Sequence, residues 1–277
     1  MSEELTKQLQ AKARKLRKVV IQMLFQHGDG HCGPALSCMD ILVAFYFQLL
    51  KVRPENPQWE DRDRLILSKG HACAALYTVL AEKGFFPAEV LDTFCRYNSI
   101  LAGHPDYRRM PQVEASTGSL GHGLSLGTGM AFAGKADNKN YRVFVILSDG
   151  EMDTGSTWEA AMSASHYHLD NLIAVVDRNG LQACGPSKQI LDTEPLAEKW
   201  KSCNWYVDEI NGHDMGEIIS SVEKASENEG KPTVIIAHTI KGKGVSFMED
   251  NFRWHHRAPT KEEAEKALKE LEEEGVS

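Results

Sequence analysis

One strand–helix–strand unit, spanning positions 142–182, limits more than any other feature how this chain can fold. An apolar strand ends at Asp149, and a second apolar strand ends just before Asn179, 30 positions later (179 − 149). This separation is typical of a βαβ unit, in which the two strands are parallel. Both carboxyl ends therefore lie at one edge of the sheet, with neighbouring strands roughly 4.8 Å apart. We expect the side chains of Asp149 and Asn179 to meet at that edge.

Two oxygen-bearing side chains on adjacent strand ends are suited to a small hard cation. A cation held by so few protein oxygens usually completes its shell with phosphate oxygens and water. The pair therefore indicates a diphosphate cofactor at the carboxyl edge of an open α/β sheet. The alternative is structural: Asp149 precedes Gly150 and Asn179 precedes Gly180, and both dipeptides are common in turns.

The remaining pattern alternates predicted helices and strands. Apolar residues recur at helical spacing from Leu5 to His27. A second helix is predicted from Ser37, as its N-cap, to about Leu50. The pattern predicts one domain over 1–277, of the α/β class, with an open, mostly parallel sheet and helices on both faces. Strands are predicted at 65–68, 143–147, 172–177, 206–210 and 233–238, and further helices before Gly84, from Pro87, up to position 135, at 156–168, at 214–227 and after Thr260.

Composition excludes several classes of protein. The net charge of −8 argues against a nucleic-acid or acidic-membrane surface. No run reaches the ~18–20 apolar residues of a membrane span, and the charged first 17 residues do not resemble a signal peptide. Six scattered cysteines without a C-x-x-C pair indicate reduced thiols, so we expect a cytoplasmic protein.

Other candidate residues lie in predicted loops and helix starts. Backbone amides in the glycine-rich segment 118–129 could hold phosphate, although tight helix packing explains the glycines equally well. Ser156 and Glu159 match a capping box, which is a structural role. Several neutral histidines converging on one cleft would support proton transfer and bind hydroxyl groups, whereas isolated ones would be ordinary surface residues. The loop histidines are 31, 71, 104, 122, 255 and 256, and Lys69 and Lys241 lie beside glycines after strands.

Taken in order, these motifs resemble the thiamine diphosphate-binding half of transketolase. That family's cofactor motif is G-D-G, roughly 30 residues, then an asparagine followed by a backbone-carbonyl ligand. Here it corresponds to SDGEMDTG through DRNGL. The other anchors occur in the same order along nearly the whole chain: GHCGPALS, LSKGHACAALY, GHP, TGSLGHGLSLGTGMA, HTIKGKG and WHHRAP.

The resemblance implies a role for each matching residue. The cation, Mg²⁺ or alternatively Ca²⁺ or Mn²⁺, would be bound by Asp149, Asn179 and the carbonyl of Leu181. Glu159 resembles the glutamate at the interface between active sites. His31, His71, His104 and His255 resemble the catalytic histidines that contact substrate and assist proton transfer. The residues implied to bind thiamine diphosphate are Lys69, His71, Gly118, Ser119, Leu120, Gly150, Glu151, Asn179, Lys241 and His255.

The chain departs from the family pattern in four places. Ser148 replaces the first glycine of G-D-G, and Thr154 stands where many members carry a glutamate associated with communication between cofactors. His122 lies in GHG, where G-Q-G is common. Because His256 follows His255 directly, either histidine is a candidate for the functional position.

In this family a glutamate from a separate pyrimidine-binding domain activates the cofactor, and this chain shows no second α/β run that would supply it. The resemblance therefore implies the N-terminal subunit of a split transketolase, whose partner is a C-terminal, pyrimidine-binding subunit, in a dimer of heterodimers. The expected reaction transfers a two-carbon ketol unit from a ketose phosphate to an aldose phosphate, as in the pentose phosphate pathway. The alternatives are a related carboligase for a specialised sugar or pyruvate-derived donor, and a non-catalytic thiamine diphosphate-binding subunit.

Overall fold

Five parallel strands form the centre of the molecule in the computed structural model, which describes residues 2–273. The strands are β1 (Arg64–Leu67), β2 (Val143–Ser148), β3 (Leu172–Arg178), β4 (Tyr206–Asn211) and β5 (Thr233–His238). Their order across the sheet is β1-β2-β3-β5-β4, and every neighbouring pair is parallel. The predicted open, parallel sheet is therefore confirmed.

Helices cover both faces of this sheet, as the sequence predicts. One face packs mainly against α1, α3, α4 and α9, and the other against α5, α6 and α8. The α-helices of the described residues are α1 (Glu3–His27), α2 (Cys32–Ser37), α3 (Met39–Ala44), α4 (Cys73–Lys83), α5 (His122–Ala136), α6 (Gly155–His166), α7 (Ser187–Ile190), α8 (Leu196–Ser202), α9 (Met215–Glu227) and α10 (Lys261–Glu273).

The strands are almost continuously apolar because both of their faces are buried. Along β2, Phe144 and Ile146 belong to the core on one side, while Val143 and Val145 belong to the core on the other side. All four side chains are fully buried. Each burial of this kind stabilises the fold by about 1.5–3 kcal/mol, so the centre of the sheet is a rigid platform for the loops at its carboxyl edge.

Two predicted helix caps are wrong, because each serine has a more distant partner. Ser37 ends α2 instead of starting a long helix, and its buried hydroxyl donates to the Asp177 carboxylate at 2.5 Å. The region up to position 50 is divided into α2, α3 and a π-helix. Ser156 donates to the Gly121 carbonyl at 3.0 Å, and α6 begins at Gly155 without a side-chain cap. The capping box in this region is instead formed by Ser148 and Glu151.

The terminal helices match their predicted limits. Gly28 ends α1 with a φ of 82°, a left-handed conformation that glycine adopts without steric cost. Thr260 and Glu263 form the predicted capping box of α10, because each side chain accepts the other residue's backbone N–H, at 3.3 and 2.9 Å. Among the described helices, none combines the length and the apolar character that crossing a bilayer requires.

Candidate functional site

The carboxyl ends of β2 and β3 bring the predicted cation ligands together. Ser148 pairs with Asp177 in the sheet, so the next residues of the two strands leave it side by side. The Asp149 side chain is buried, and its Oδ2 accepts the backbone N–H groups of Asn179 and Gly180, both at 2.9 Å. Its Oδ1 is bonded by the Arg178 guanidinium. The expectation that Asp149 and Asn179 meet at one sheet edge is confirmed.

Leu181 presents its backbone carbonyl on the same edge. This oxygen accepts a hydrogen bond from Lys241 Nζ at 2.9 Å, and the same ammonium group lies 3.0 Å from His255 Nδ1. Burial, reinforced by the nearby charge of Lys69, lowers the pKa of Lys241 to about 8. Asn179 Oδ1 accepts the backbone N–H of Leu181 at 3.1 Å, which fixes the turn that aims this carbonyl.

A cavity of about 120 Å³ opens beside these oxygens. Loops after β1, β2, β3 and β5 all contribute to it, as expected for the carboxyl edge of a parallel sheet. Gly150 lines the cavity, and a Cβ at that position would have no neighbour closer than 3.5 Å. The residues that surround the cavity are Pro34, Lys69, His71, Leu120, Ser148, Gly150, Asn179, Leu181, Gln182, Ala183, Lys241 and His255.

A second cavity, of about 160 Å³, is lined largely by histidines, and His71 borders both cavities. His31 is central: its ring centroid lies 5.2 Å from that of His71, 6.0 Å from that of His104 and 5.5 Å from that of His255. His256 stacks on His31 at 4.3 Å. Five of the loop histidines, His31, His71, His104, His255 and His256, therefore lie together, which is the arrangement that proton transfer would require.

Burial lowers the pKa values of four of these histidines, His31, His71, His104 and His255, which favours their neutral forms. Burial, assisted by repulsion from His256 and His104, lowers the pKa of His31 to about 4. Burial and the neighbouring Lys241 lower the pKa of His255 to about 3. The pKa values of His71 and His104 are lowered as well, chiefly by burial. A neutral imidazole offers one hydrogen-bond donor and one acceptor, which is the combination needed to bind hydroxyl groups and to move protons.

Asp177 is a central residue that the sequence analysis missed. Its buried carboxylate contacts Lys69 Nζ and the hydroxyls of Ser37 and Thr239. Burial opposes ionisation, but the contact with Lys69 prevails and lowers the pKa of Asp177. The network fixes Lys69 at the wall of the smaller cavity. A charged residue directly after the apolar run LIAVV, still within the predicted strand 172–177, was a signal in the sequence, because a buried charge needs a partner.

Five predicted site residues are not among those that line the two cavities, and one of them is the buried Asp149. Gly118 and Ser119 are on the adjoining loop, where Gly118 has a φ of 138° and an added Cβ would lie 2.6 Å from the His104 ring. The Glu151 carboxylate is fully buried and accepts the backbone N–H groups of Gly121 and Ser148, at 3.0 and 2.9 Å. Glu159 is exposed on α6.

The oxygens at the sheet edge fit a divalent cation with phosphate ligands. Positively charged groups already lie against two of them, since Arg178 contacts Asp149 and Lys241 contacts the Leu181 carbonyl. A carboxylate, an amide oxygen and a backbone carbonyl are the hard donors that Mg²⁺ and Ca²⁺ prefer. Within residues 2–273, no three His, Cys, Asp or Glu side chains are grouped to hold a metal ion. The remaining ligands would therefore come from diphosphate and water.

Comparison with known proteins agrees with this geometry. Residues 8–273 match the family model described as transketolase, thiamine diphosphate binding domain. The chain is 43% identical over 265 residues to a subunit of the apulose-4-phosphate transketolase of Phocaeicola vulgatus, covering 96% of this chain and 94% of that protein. It is 45% identical over 268 residues to 6-deoxy-6-sulfo-D-fructose transketolase subunit SqwG of Clostridium sp., covering 97% and 98%.

The fold and the paired cavities define a thiamine diphosphate-binding α/β domain. The transketolase of Campylobacter jejuni superimposes with a TM-score of 0.91 at 32% identity, over 98% of this chain and 43% of that one. The chain thus spans about two fifths of the solved transketolase chain. It belongs to the transketolase thiamine diphosphate-binding domain family, so the family and the cofactor that the sequence predicts are confirmed.

Proposed function

We propose that this chain is the diphosphate-binding subunit of a two-chain transketolase, which transfers a two-carbon ketol unit from a ketose phosphate to an aldose phosphate. The observation that carries the proposal is the pair of cavities that share His71, one lined by Asn179 and Leu181 next to Asp149 and the other lined by several histidines. Relatives of nearly the same length are named as subunits of transketolases, which supports a separate partner chain.

Asp149, the Asn179 side chain and the Leu181 carbonyl would hold Mg²⁺, or Ca²⁺ or Mn²⁺, against the diphosphate. Gly150 leaves room for close approach to the backbone, and Lys69, Leu120 and Lys241 line the same cavity. Glu151 supports this wall from outside through its bond to the Ser148 N–H, and Gly118 and Ser119 lie on the adjoining loop. When bound, thiamine diphosphate supplies a carbanion for bond making. The protein residues at this edge orient the cofactor and take no part in the bonds that form.

The histidines divide between the two cavities. His255 lines the cofactor cavity with its Nδ1 next to Lys241, whereas His256 lines the second cavity, stacked on His31. We therefore assign His71 and His255 to the cofactor side, and His31, His104 and His256 to the substrate side. The imidazoles on the substrate side would hold sugar hydroxyls and accept or donate protons at those oxygens.

The partner subunit would supply the pyrimidine-binding half, and two such pairs would form a dimer of heterodimers. Glu159 lies on the exposed side of α6, next to the exposed Met162. Phe132 of α5 and Tyr167 are also exposed, with ring centroids 4.9 Å apart. Exposed apolar side chains on α5 and α6 are typical of interfaces, which supports placing Glu159, exposed on α6, in a subunit contact.

A specialised sugar is the leading alternative to the common pentose phosphates. The two subunit relatives are named for apulose 4-phosphate and for 6-deoxy-6-sulfo-D-fructose. Cavity-lining histidines favour hydroxyl-rich donors over pyruvate-derived ones. Their retention, together with the Asp149 and Asn179 pair, also argues against a non-catalytic subunit.

Reconstitution tests the proposal. The chain is mixed with a pyrimidine-binding transketolase subunit, Mg²⁺ and thiamine diphosphate, and coupled ketol transfer is measured over a panel of ketose phosphates, sulfo-sugars and pyruvate. Transfer that requires both chains is expected, and robust turnover by this chain alone would contradict the two-chain arrangement.

A binding assay addresses the cation ligands separately. Asp149→Ala should abolish retention of thiamine diphosphate after gel filtration, because it removes the only charged ligand. Asp170→Ala is the matched control, since Asp170 pairs with Lys135 and lines a different groove. Full cofactor retention by Asp149→Ala would refute the cation assignment.

A further inference from the structure

Arg178 lies between two carboxylates at the edge of the cofactor cavity. It is the last residue of β3, immediately before Asn179. One guanidinium nitrogen bonds Asp149 Oδ1, and the other bonds Glu194 Oε1 at 2.5 Å. The Arg178 side chain is 15% exposed, whereas that of Glu194 is 42% exposed. Arg178 therefore connects a buried carboxylate to one that faces solvent.

This contact places a fixed positive charge on an oxygen that the proposed cation needs. Asp149 Oδ2 already accepts two backbone N–H groups, so Oδ1 is the oxygen with capacity for a metal ion. A divalent cation that binds Oδ1 must displace the guanidinium or share the carboxylate with it. Charges of like sign at such distances repel strongly when they are shielded from water.

Glu194 lowers the free energy needed to displace the Arg178 guanidinium from Asp149. A guanidinium has five N–H donors, so it can leave Asp149 and remain paired with Glu194. Without Glu194, Asp149 would be the only carboxylate within residues 2–273 that is bonded to Arg178. The guanidinium would then lose its counter-ion whenever a cation took Asp149.

We propose that Arg178 is a positioning residue that sets the affinity for the divalent cation, by competing for Asp149, and that Glu194 acts through Arg178 to moderate this competition. The inference rests on the proposed cation site. Arg178 then has a role that is separate from binding the cofactor or the substrate.

The test measures free Mn²⁺ by electron paramagnetic resonance, using the full chain with saturating thiamine diphosphate. Arg178→Gln should tighten Mn²⁺ binding by about tenfold, which corresponds to about 1.4 kcal/mol. Glu194→Gln should weaken it several-fold. In the double variant the effect of Glu194→Gln should disappear, because Glu194 acts only through Arg178.

A matched control distinguishes the effect of the Arg178–Asp149 contact from the effect of losing one positive charge. Lys199→Gln also removes one positive charge near Glu194, but Lys199 has no contact with Asp149. It should change Mn²⁺ affinity little, and the effect of Arg178→Gln should persist in about 0.5 M potassium chloride, where long-range fields are screened. A second readout is thermal unfolding: Arg178→Gln should melt lower in chelator and gain more from Mn²⁺ than the wild type, because Asp149 has lost its counter-ion.

Each outcome decides a different part of the inference. Unchanged or weaker Mn²⁺ binding by Arg178→Gln overturns the competition. A full effect of Glu194→Gln in the absence of Arg178 overturns the role of Glu194. If Mn²⁺ binding survives Asp149→Ala, or the wild type binds no Mn²⁺, then both the cation site and this inference are wrong. Mn²⁺ binding that depends on Asp149 but not on Arg178 would contradict this inference and leave the proposed cation site standing.

Discussion

The Lys69–Asp177 ion pair provides the sharpest test of how the sheet edge is held together. Asp177→Asn keeps the shape of the side chain but leaves the buried Lys69 ammonium without its counter-ion. Removing one partner of a buried pair typically costs about 3–5 kcal/mol. Unfolding entropy of ~2.1 cal/mol/K per residue gives roughly 0.58 kcal/mol/K for 277 residues. The expected fall in melting temperature is therefore about 5–9 °C.

Circular dichroism during thermal and urea unfolding measures this loss. The matched control is Asp208→Asn on the outer strand β4, where the carboxylate accepts a serine hydroxyl at 2.7 Å and forms no ion pair with a lysine of residues 2–273. Its cost should stay near 1 kcal/mol. Adding Lys69→Met to Asp177→Asn should recover much of the lost stability, because no unpaired charge then remains. A loss below about 1 kcal/mol for Asp177→Asn would refute the assignment of Lys69 and Asp177 as a tightly coupled pair.

Three further predictions concern packing, protonation and capping. Gly123→Ala should destabilise the fold by about 1–3 kcal/mol, measured by urea unfolding, because its Cβ would lie 2.3 Å from the Ser68 Cβ; a neutral change would show that the loop yields freely. His31 has a pKa of about 4 against 6.5 when unfolded, so the unfolded chain binds more protons between these values and stability should fall as pH drops from 6.5 to 4. In His31→Gln the stability lost between pH 6.5 and pH 4 should be smaller by about 1–2 kcal/mol, after allowance for partial exposure, so melting temperature should depend less steeply on pH. An unchanged slope would contradict the lowered pKa. Thr260→Ala should cost about 1 kcal/mol in urea unfolding by removing the cap of α10, whereas no loss would mean that α10 is held by packing alone.

The sheet and the position of Asp149 next to Asn179 were predictable because they depend on patterns with one explanation. Strands buried on both faces must be apolar throughout, so β2, β3 and β5 appear clearly in the sequence. The βαβ spacing alone placed Asp149 beside Asn179. Both predictions use local periodicity together with a rule of topology.

The errors arose where a long-range partner outweighed a local pattern. Ser37 looks like a helix cap, but its hydroxyl bonds Asp177, 140 positions away. Ser156 bonds the Gly121 carbonyl, 35 positions away. The division of the histidines between two cavities likewise depends on how the loops after different strands pack, which no local signal records. Arg178 was missed for the same reason, since its carboxylate partners are not adjacent to it in sequence.

The order of the strands has a consequence for synthesis on the ribosome. Arg64 of β1 pairs with Val143 of β2, a separation of 79 residues (143 − 64). At roughly 5–20 residues per second, β1 leaves the ribosome about 4–16 s before β2, its neighbour in the sheet. During that interval its apolar residues can be covered only by helices made earlier or directly afterwards, such as α1 and α4. Slowing translation between β1 and β2 would lengthen the exposure of this edge to other nascent chains.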